Sequence, residues 1–377
     1  MRRLLLAGPG HAHLFVLEAL ARAPWPGVEV VLVARGRTQL YSGMVPGYLA
    51  GQYPLEALSF DLEGLARAAG ARLEPSGVAT LDAERREVRL GDGRTLGYDV
   101  ASFDIGSLPA GEDRVPGVRE HAVVLKPLEG ALRLATGKGP GPLVVVGGGA
   151  AGVELALCLQ ARTGRPTVLL EEGAQVPRGG SPAAERRVRA LLSRRRVTVR
   201  TGVRVRALEA DVAYLDTGER LVFGTCVWAT GARAPSLFAT SGAAVDARGY
   251  LAVRDTLESP SHPGLFAAGD CAGFTSGQHV PKAGVYAVRQ GPVLRANLRA
   301  SLLGDGTLRP YSAQRGFLSL LNAGDGTAVG AWKGLAFQGR AVWKLKDAID
   351  RRFMERFQRY SSEAQRSSKA RQKGSTS

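Results

Sequence analysis

Short, fully apolar runs alternate with longer segments of helical period along this chain. That pattern predicts buried parallel strands joined by helices. Arg3-Leu4-Leu5-Leu6-Ala7 predicts the first strand, and the spacing of Leu14, Leu17 and Leu20 predicts the helix after it. Val28 to Val33 predicts the second strand. The same order recurs further on: Leu143 to Val146 as a strand, Val153 to Ala161 as a helix and Thr167 to Leu170 as a strand. Near the C-terminus, Phe317 to Ala323 and Thr327 to Lys333 predict a hairpin about Gly324-Asp325-Gly326. Val342, Leu345, Ile349, Phe353, Phe357 and Tyr360 recur at spacings of three and four, which predicts one amphipathic helix over 340–360.

The segments between strand and helix carry the chemistry. Gly8-Pro9-Gly10-His11-Ala12-His13 follows the first strand. Gly8 permits a tight turn and Gly10 lets the backbone approach a pyrophosphate, which the free N–H groups and positive dipole end of the helix attract. The third glycine position is His13, and the end of the second strand, commonly acidic, reads Ala34-Arg35. Gly147-Gly148-Gly149-Ala150-Ala151-Gly152 completes the GxGxxG pattern in full. Glu171 stands at the end of the next strand with Glu172 beside it. A carboxylate there accepts hydrogen bonds from both ribose hydroxyls of NADH and repels the additional phosphate of NADPH. Two such units in one chain suit one flavin dinucleotide and one nicotinamide dinucleotide. Three further strand-then-Gly segments fit that division: Tyr98 to Ser107 with Gly106, Cys226 to Ala232 with Gly231, and His262 to Asp270 ending in Gly269-Asp270.

Composition narrows the picture. The chain has 377 residues, enough for two to three domains and a sizeable core. No run reaches the roughly 18 to 20 apolar residues of a membrane-spanning helix, and the apolar stretch at the N-terminus is too short for a targeting signal. Cys158, Cys226 and Cys271 lie far apart, which excludes a disulfide scaffold, a zinc module and an iron–sulfur centre and suits a reducing, cytoplasmic setting; no metal is expected. The net charge of +16 invites an anionic partner or reflects Arg-rich composition, and no nucleic-acid recognition motif accompanies it. Lys344, Lys346, Arg351, Arg352, Arg356 and Arg359 crowd the C-terminal helix. Such a helix either lies on an anionic membrane or packs its stripe on the fold. Residues 361–377, rich in Ser, Gln, Lys and Arg, are expected to be disordered.

With these motifs in order, residues 1–360 resemble the pyridine nucleotide–disulfide oxidoreductase superfamily. Thr38 to Gly47 and Val280-Pro281-Lys282-Ala283-Gly284 resemble type II NADH dehydrogenases and sulfide:quinone oxidoreductases. GHAH, TQLYSGMVPGYLAGQY, VPKAGVYAVRQGP and LSLLNAGDGTA look most like the NADH dehydrogenase-like flavoprotein found fused to selenide, water dikinase, and no segment resembles that kinase. The resemblance implies an α/β fold with two Rossmann-like domains, a glutathione reductase-like FAD/NAD-linked arrangement, and a small C-terminal region. The expected division is 1–115 and 241–310 for FAD, 116–240 for NADH, 311–360 for the hairpin and amphipathic helix, and 361–377 for the tail. It implies FAD contacts at Gly8, Gly10, His11, Arg35, Gly106, Gly269, Asp270 and Ala283, and NADH contacts at Gly147, Gly149, Gly152, Glu171 and Gly231.

Glu154, in the family's Gly-Val-Glu position, would meet the nicotinamide side of the flavin or assist a proton transfer. A helix beginning at Pro281 would aim its positive end at the flavin, with Lys282 adding charge. Without a cysteine pair, electrons would pass from NADH through FAD to a diffusible acceptor, foremost a quinone reached by peripheral contact with the inner face of the cytoplasmic membrane. A soluble acceptor of selenium or sulfur metabolism, a slow NADH-sensing role and a homodimer stay open at this point.

Overall fold

The computed structural model describes residues 1–126, 128–136, 139–304 and 306–361. The tail expected to be disordered lies, from 362 on, outside the described residues. Two five-stranded parallel sheets organise the chain. The first takes β1 (Arg2–Ala7), β2 (Val28–Val33), β3 (Ala71–Glu74) and β4 (Val100–Phe103). The second takes β5 (Ala122–Val124), β6 (Leu143–Val146), β7 (Thr167–Glu171), β8 (Val197–Thr201) and β9 (Thr225–Trp228). β10 (Leu265–Ala267) returns to the edge of the first. The strand orders are β10-β4-β1-β2-β3 and β5-β9-β6-β7-β8, so each sheet reverses direction beside its glycine turn, where doubly wound folds bind ligands. Leu4, Leu5, Leu6, Val144 and Val145 are fully buried, as strands covered on both faces require.

Helices α1 (His11–Arg22) and α2 (Ala150–Thr163) follow the two turns. The chain crosses between the sheets twice, and Leu108-Pro109 pairs antiparallel with Ala232-Arg233 at the crossing. α3 (Pro182–Arg194) and α4 (Gly284–Leu303) complete the two halves. α4 differs from the sequence expectation. It begins at Gly284, not Pro281, because Ala283 is extended and its N–H closes a turn on the Pro281 carbonyl.

The C-terminal region also departs from expectation. The hairpin is a three-stranded antiparallel sheet, β11 (Ser319–Asn322), β12 (Ala328–Trp332) and β13 (Leu335–Gly339), followed by α5 (Arg340–Gln358). The anticipated apolar stripe of α5 is split. Val342, Met354 and Phe357 are buried, while Leu345 and Ile349 are exposed. Lys346, read as one of the basic residues crowding the helix, lies on the buried side together with Asp350.

α5 is tied to α1 by a buried carboxylate. Glu18 accepts from Arg22, from Arg356 through both of its oxygens, and from Arg359. Arg356 also lies 4.3 Å over the Phe15 ring. Glu18→Ala is expected to cost about 3 kcal/mol, the low end for breaking a buried pair because the arginines can turn to water. Urea unfolding measures this, and a cost under about 1 kcal/mol, the level of a surface pair, would show that the clamp does not hold α5.

Candidate functional site

The first glycine turn closes on β4. Gly8 has φ +90°, and a Cβ on Gly10 would stand 2.1 Å from the Asp104 carboxyl carbon, so side chains are excluded from both positions. Gly10 N–H donates to the Asp104 carbonyl at 3.1 Å, and Asp104 Oδ2 accepts from Ala12 N–H at 2.8 Å and His13 N–H at 3.3 Å. Sequence reasoning passed over Asp104 within the crossover segment; an acid directly after an apolar strand was the available signal. His13 replaces the third glycine with a bracket. Its Nδ1–H donates to the Gly8 carbonyl at 2.6 Å, and Nε2 accepts from Ser102 Oγ at 2.8 Å. Burial holds its pKa down to about 4, so the ring stays neutral.

Burial pushes Asp104 up from 3.8 to about 7, against the two N–H groups that favour its charged form. The folded chain then holds a proton that the unfolded chain has released between about pH 4 and about pH 7, so stability falls as pH rises through that window. Asp104→Asn keeps the capping oxygen and is expected to flatten that slope. Urea unfolding of the flavin-free protein across the window checks this, and equal pH dependence in both proteins would refute it.

The other residues expected around FAD gather here. A Cβ on Gly269 would come 2.5 Å from Asp104 Oδ1, and Gly269 N–H donates to Gln290 Oε1 at 2.6 Å. Gln290 Nε2 is buried without a partner among the described residues. Asp270 Oδ2 accepts from Lys126 Nζ at 3.1 Å and Ser107 Oγ at 3.2 Å. Gly106, at φ +73°, borders open space. The α4 N-terminus has no side-chain cap, and a Cβ on Gly284 would stand 3.2 Å from His11 Cε1. His11 itself lies among Tyr41, Phe353 and Gly284, with its pKa lowered to about 4 by burial. The uncapped α4 end, Gly106 facing open space and the unpartnered Gln290 amide are what an anionic dinucleotide would satisfy, so these residues fit FAD.

Two further expected contacts are placed as follows. Arg35 is exposed, its Cγ 3.2 Å from where a Cβ on Gly77 would lie. Lys282 Nζ donates to the Ala272 carbonyl and sits 4.0 Å over the Tyr250 ring, and burial lowers its pKa. Cys271 Sγ lies 3.2 Å from the Phe103 and Ala268 carbonyls, and burial pushes its thiol up to about 12. Cys158 and Cys226 are buried as well.

The second turn has the full glycine geometry. Gly147 has φ +111°, Gly149 borders open space, and a Cβ on Gly152 would lie 1.8 Å from the Gly147 carbonyl oxygen. Tight turn, backbone approach and close helix–strand packing are thus met in order, and the turn fits a nicotinamide dinucleotide. Gly231 borders open space after β9. Glu171 is placed differently from the sequence reading. It is 1 % exposed and already accepts from Gly148 N–H, Gly173 N–H and Arg178.

A third cluster was not foreseen. Lys346 Nζ donates to Asp350 Oδ2 at 2.8 Å and the Gly43 carbonyl at 2.9 Å, and lies 3.9 Å from Glu154. Tyr41 donates to Asp350 Oδ1 at 3.1 Å and stacks on Phe353 at 4.6 Å. Asn322 N–H donates to Glu154 Oε1 at 2.8 Å. Burial raises the pKa of Glu154, and Lys346 draws it back. Through Tyr41 and Phe353, both against His11, the cluster adjoins the first turn. No local signal marks Lys346 and Asp350 as buried: a Lys and an Asp four apart read as a surface pair until the partner at Gly43 and Tyr41 is known.

Comparison with known proteins supplies the family and the fold. Residues 3–291 match the family described as pyridine nucleotide-disulphide oxidoreductase. An NADH dehydrogenase-like protein of Mycobacterium tuberculosis is 31% identical over 302 residues, 72% of this chain and 73% of that protein. A type II NADH:quinone oxidoreductase of Staphylococcus epidermidis is 31% identical over 137 residues, 36% of this chain and 33% of that protein. The sulfide:quinone oxidoreductase of Aquifex aeolicus shares the fold, with a TM-score of 0.80 at 17% identity over 96% of this chain and 92% of its own.

Proposed function

The chain belongs to the pyridine nucleotide-disulphide oxidoreductase family, and from that premise we propose that it takes a hydride from NADH and delivers the electrons to a membrane quinone. It is an oxidoreductase working with FAD and a pyridine nucleotide. When bound, FAD supplies a carrier that accepts two electrons from a hydride donor and releases them to an acceptor. Asp270, Gly106 and the α4 N-terminus would hold it, and the Gly147–Gly152 turn would present the nicotinamide dinucleotide.

The observation that carries the acceptor is the buried Glu154–Lys346–Asp350 cluster. A quinone takes up two protons with its two electrons. Glu154 is a carboxyl whose buried position favours the protonated form, while Lys346 keeps its charged form accessible. The three cysteines are buried at separate places, so a thiol pair is not the route. Exposed Leu345 and Ile349, with Lys344 and Arg352 on the same helix, support contact with an anionic bilayer while the other face of α5 stays seated on the fold. Among the described residues no helix is long and apolar enough to cross a membrane.

Anaerobic stopped-flow on the holoprotein tests this reading. NADH should bleach the flavin, and a long-chain quinone in anionic vesicles should restore the colour. Glu154→Gln should slow the quinone step by about a hundredfold, the low end for a proton-transfer group, and spare the bleaching by NADH. Recovery with a soluble dye but not with quinone would overturn the acceptor assignment.

A further inference from the structure

The surroundings of Glu171 bear on which dinucleotide the second turn accepts. A carboxylate offers about four acceptor positions. Glu171 has four donors: Gly148 N–H at 2.6 Å, Gly173 N–H at 2.7 Å, Arg178 Nε at 2.9 Å and Arg178 Nη2. Three of these meet Oε1 and one meets Oε2, and at 1 % exposure neither oxygen is open to a ribose hydroxyl; the charge is covered by the Arg178 guanidinium. The acid that would repel a 2′-phosphate is therefore neutralised in place.

The neighbouring acid is held differently. Glu172 is 49 % exposed and stands between two guanidiniums, Arg178 Nη2 at 3.1 Å from Oε1 and Arg204 Nε at 3.3 Å from Oε2. Both arginines are at least half exposed. Two guanidiniums converging on one half-exposed carboxylate offer a seat for a doubly charged oxyanion once Glu172 turns out to solvent. Arg178 is also bound to the turn itself, its N–H donating to the Gly148 carbonyl at 3.0 Å, so the pair stands beside the dinucleotide turn.

We propose that Arg178 and Arg204 seat the 2′-phosphate of NADPH, so that this chain accepts NADPH alongside NADH. The inference rests on the reading of Gly147–Gly152 as the pyridine-nucleotide turn, and it makes Arg178, not Glu171, the residue that sets nucleotide choice.

Calorimetric titration of the FAD-loaded protein with 5′-AMP and 2′,5′-ADP (adenosine 2′,5′-bisphosphate), which differ only in the phosphate at issue, tests it without turnover. The wild type should bind 2′,5′-ADP at least as tightly as 5′-AMP, with the 2′-phosphate contribution fading as salt rises. Arg178→Met should weaken 2′,5′-ADP by about tenfold, as expected for a lost charge-assisted hydrogen bond, and change 5′-AMP less. Arg204→Met should act in the same direction. Glu172→Gln, which removes the competing carboxylate without touching Glu171, should tighten 2′,5′-ADP. If the wild type binds 5′-AMP but takes 2′,5′-ADP more weakly, the seat is wrong and the nucleotide turn stands. If neither ligand binds, the reading of the turn falls and the seat with it.

Discussion

Asp270→Ala is expected to strip FAD from the chain while leaving its fold standing. Asp270 ends the Gly269-Asp270 bend beside β4, and among the described residues its carboxylate engages Ser107 and Lys126, the latter just past β5 of the second sheet. This single, partly exposed ion pair between the two halves contributes little to stability, so its loss takes little from the core. A carboxylate receiving a ribitol hydroxyl contributes a charge-assisted hydrogen bond, and losing it weakens binding by about ten- to a hundredfold. Lys126, left without its acceptor, adds an unbalanced charge at the same place. Visible flavin absorbance per chain after gel filtration, with far-UV circular dichroism alongside, measures both halves. Full flavin occupancy in the variant would remove Asp270 from the cofactor site.

Gly152→Ala is expected to separate the two halves of the reaction in the opposite sense. A Cβ there would meet the Gly147 carbonyl oxygen at 1.8 Å, and backbone cannot yield as a side chain tip does. The helix must move off the strand by about an ångström, a displacement able to cost about a hundredfold in rate when it misplaces a reacting group. Bleaching of the flavin by NADH should slow by that order while FAD stays bound, because the first turn is untouched. The first turn shows the alternative solution: His13 occupies the matching position, and its side chain hydrogen-bonds to the Gly8 carbonyl and Ser102. Unchanged bleaching in Gly152→Ala would mean that this turn does not carry the nicotinamide dinucleotide.

What was legible in advance follows from the range of each signal. The strand–turn–helix–strand units around Gly8 and Gly147 were readable because a buried parallel strand, a glycine turn and an amphipathic helix are each written within about thirty residues. The start of α4 was misplaced by three residues because Pro281 suits a first turn locally, while the packing of Gly284 on His11 is a contact across the chain. The stripe of α5 was read with the right period and partly the wrong face, since Lys346 and Asp350 count as polar until a partner is known.

The sequence by itself determined the two dinucleotide-binding units, the glycines that shape them and the want of a cysteine pair, all properties of residue type and local spacing. Tertiary structure alone decided what each charge does. Glu171 became a covered acid because β7 brings it against the Gly148 backbone and the loop at Arg178. Lys346 and Asp350 became a buried pair because α5 packs against Gly43 and Tyr41, some 300 positions earlier. A charge takes its meaning from its neighbours and its distance from water, and the chain order records neither.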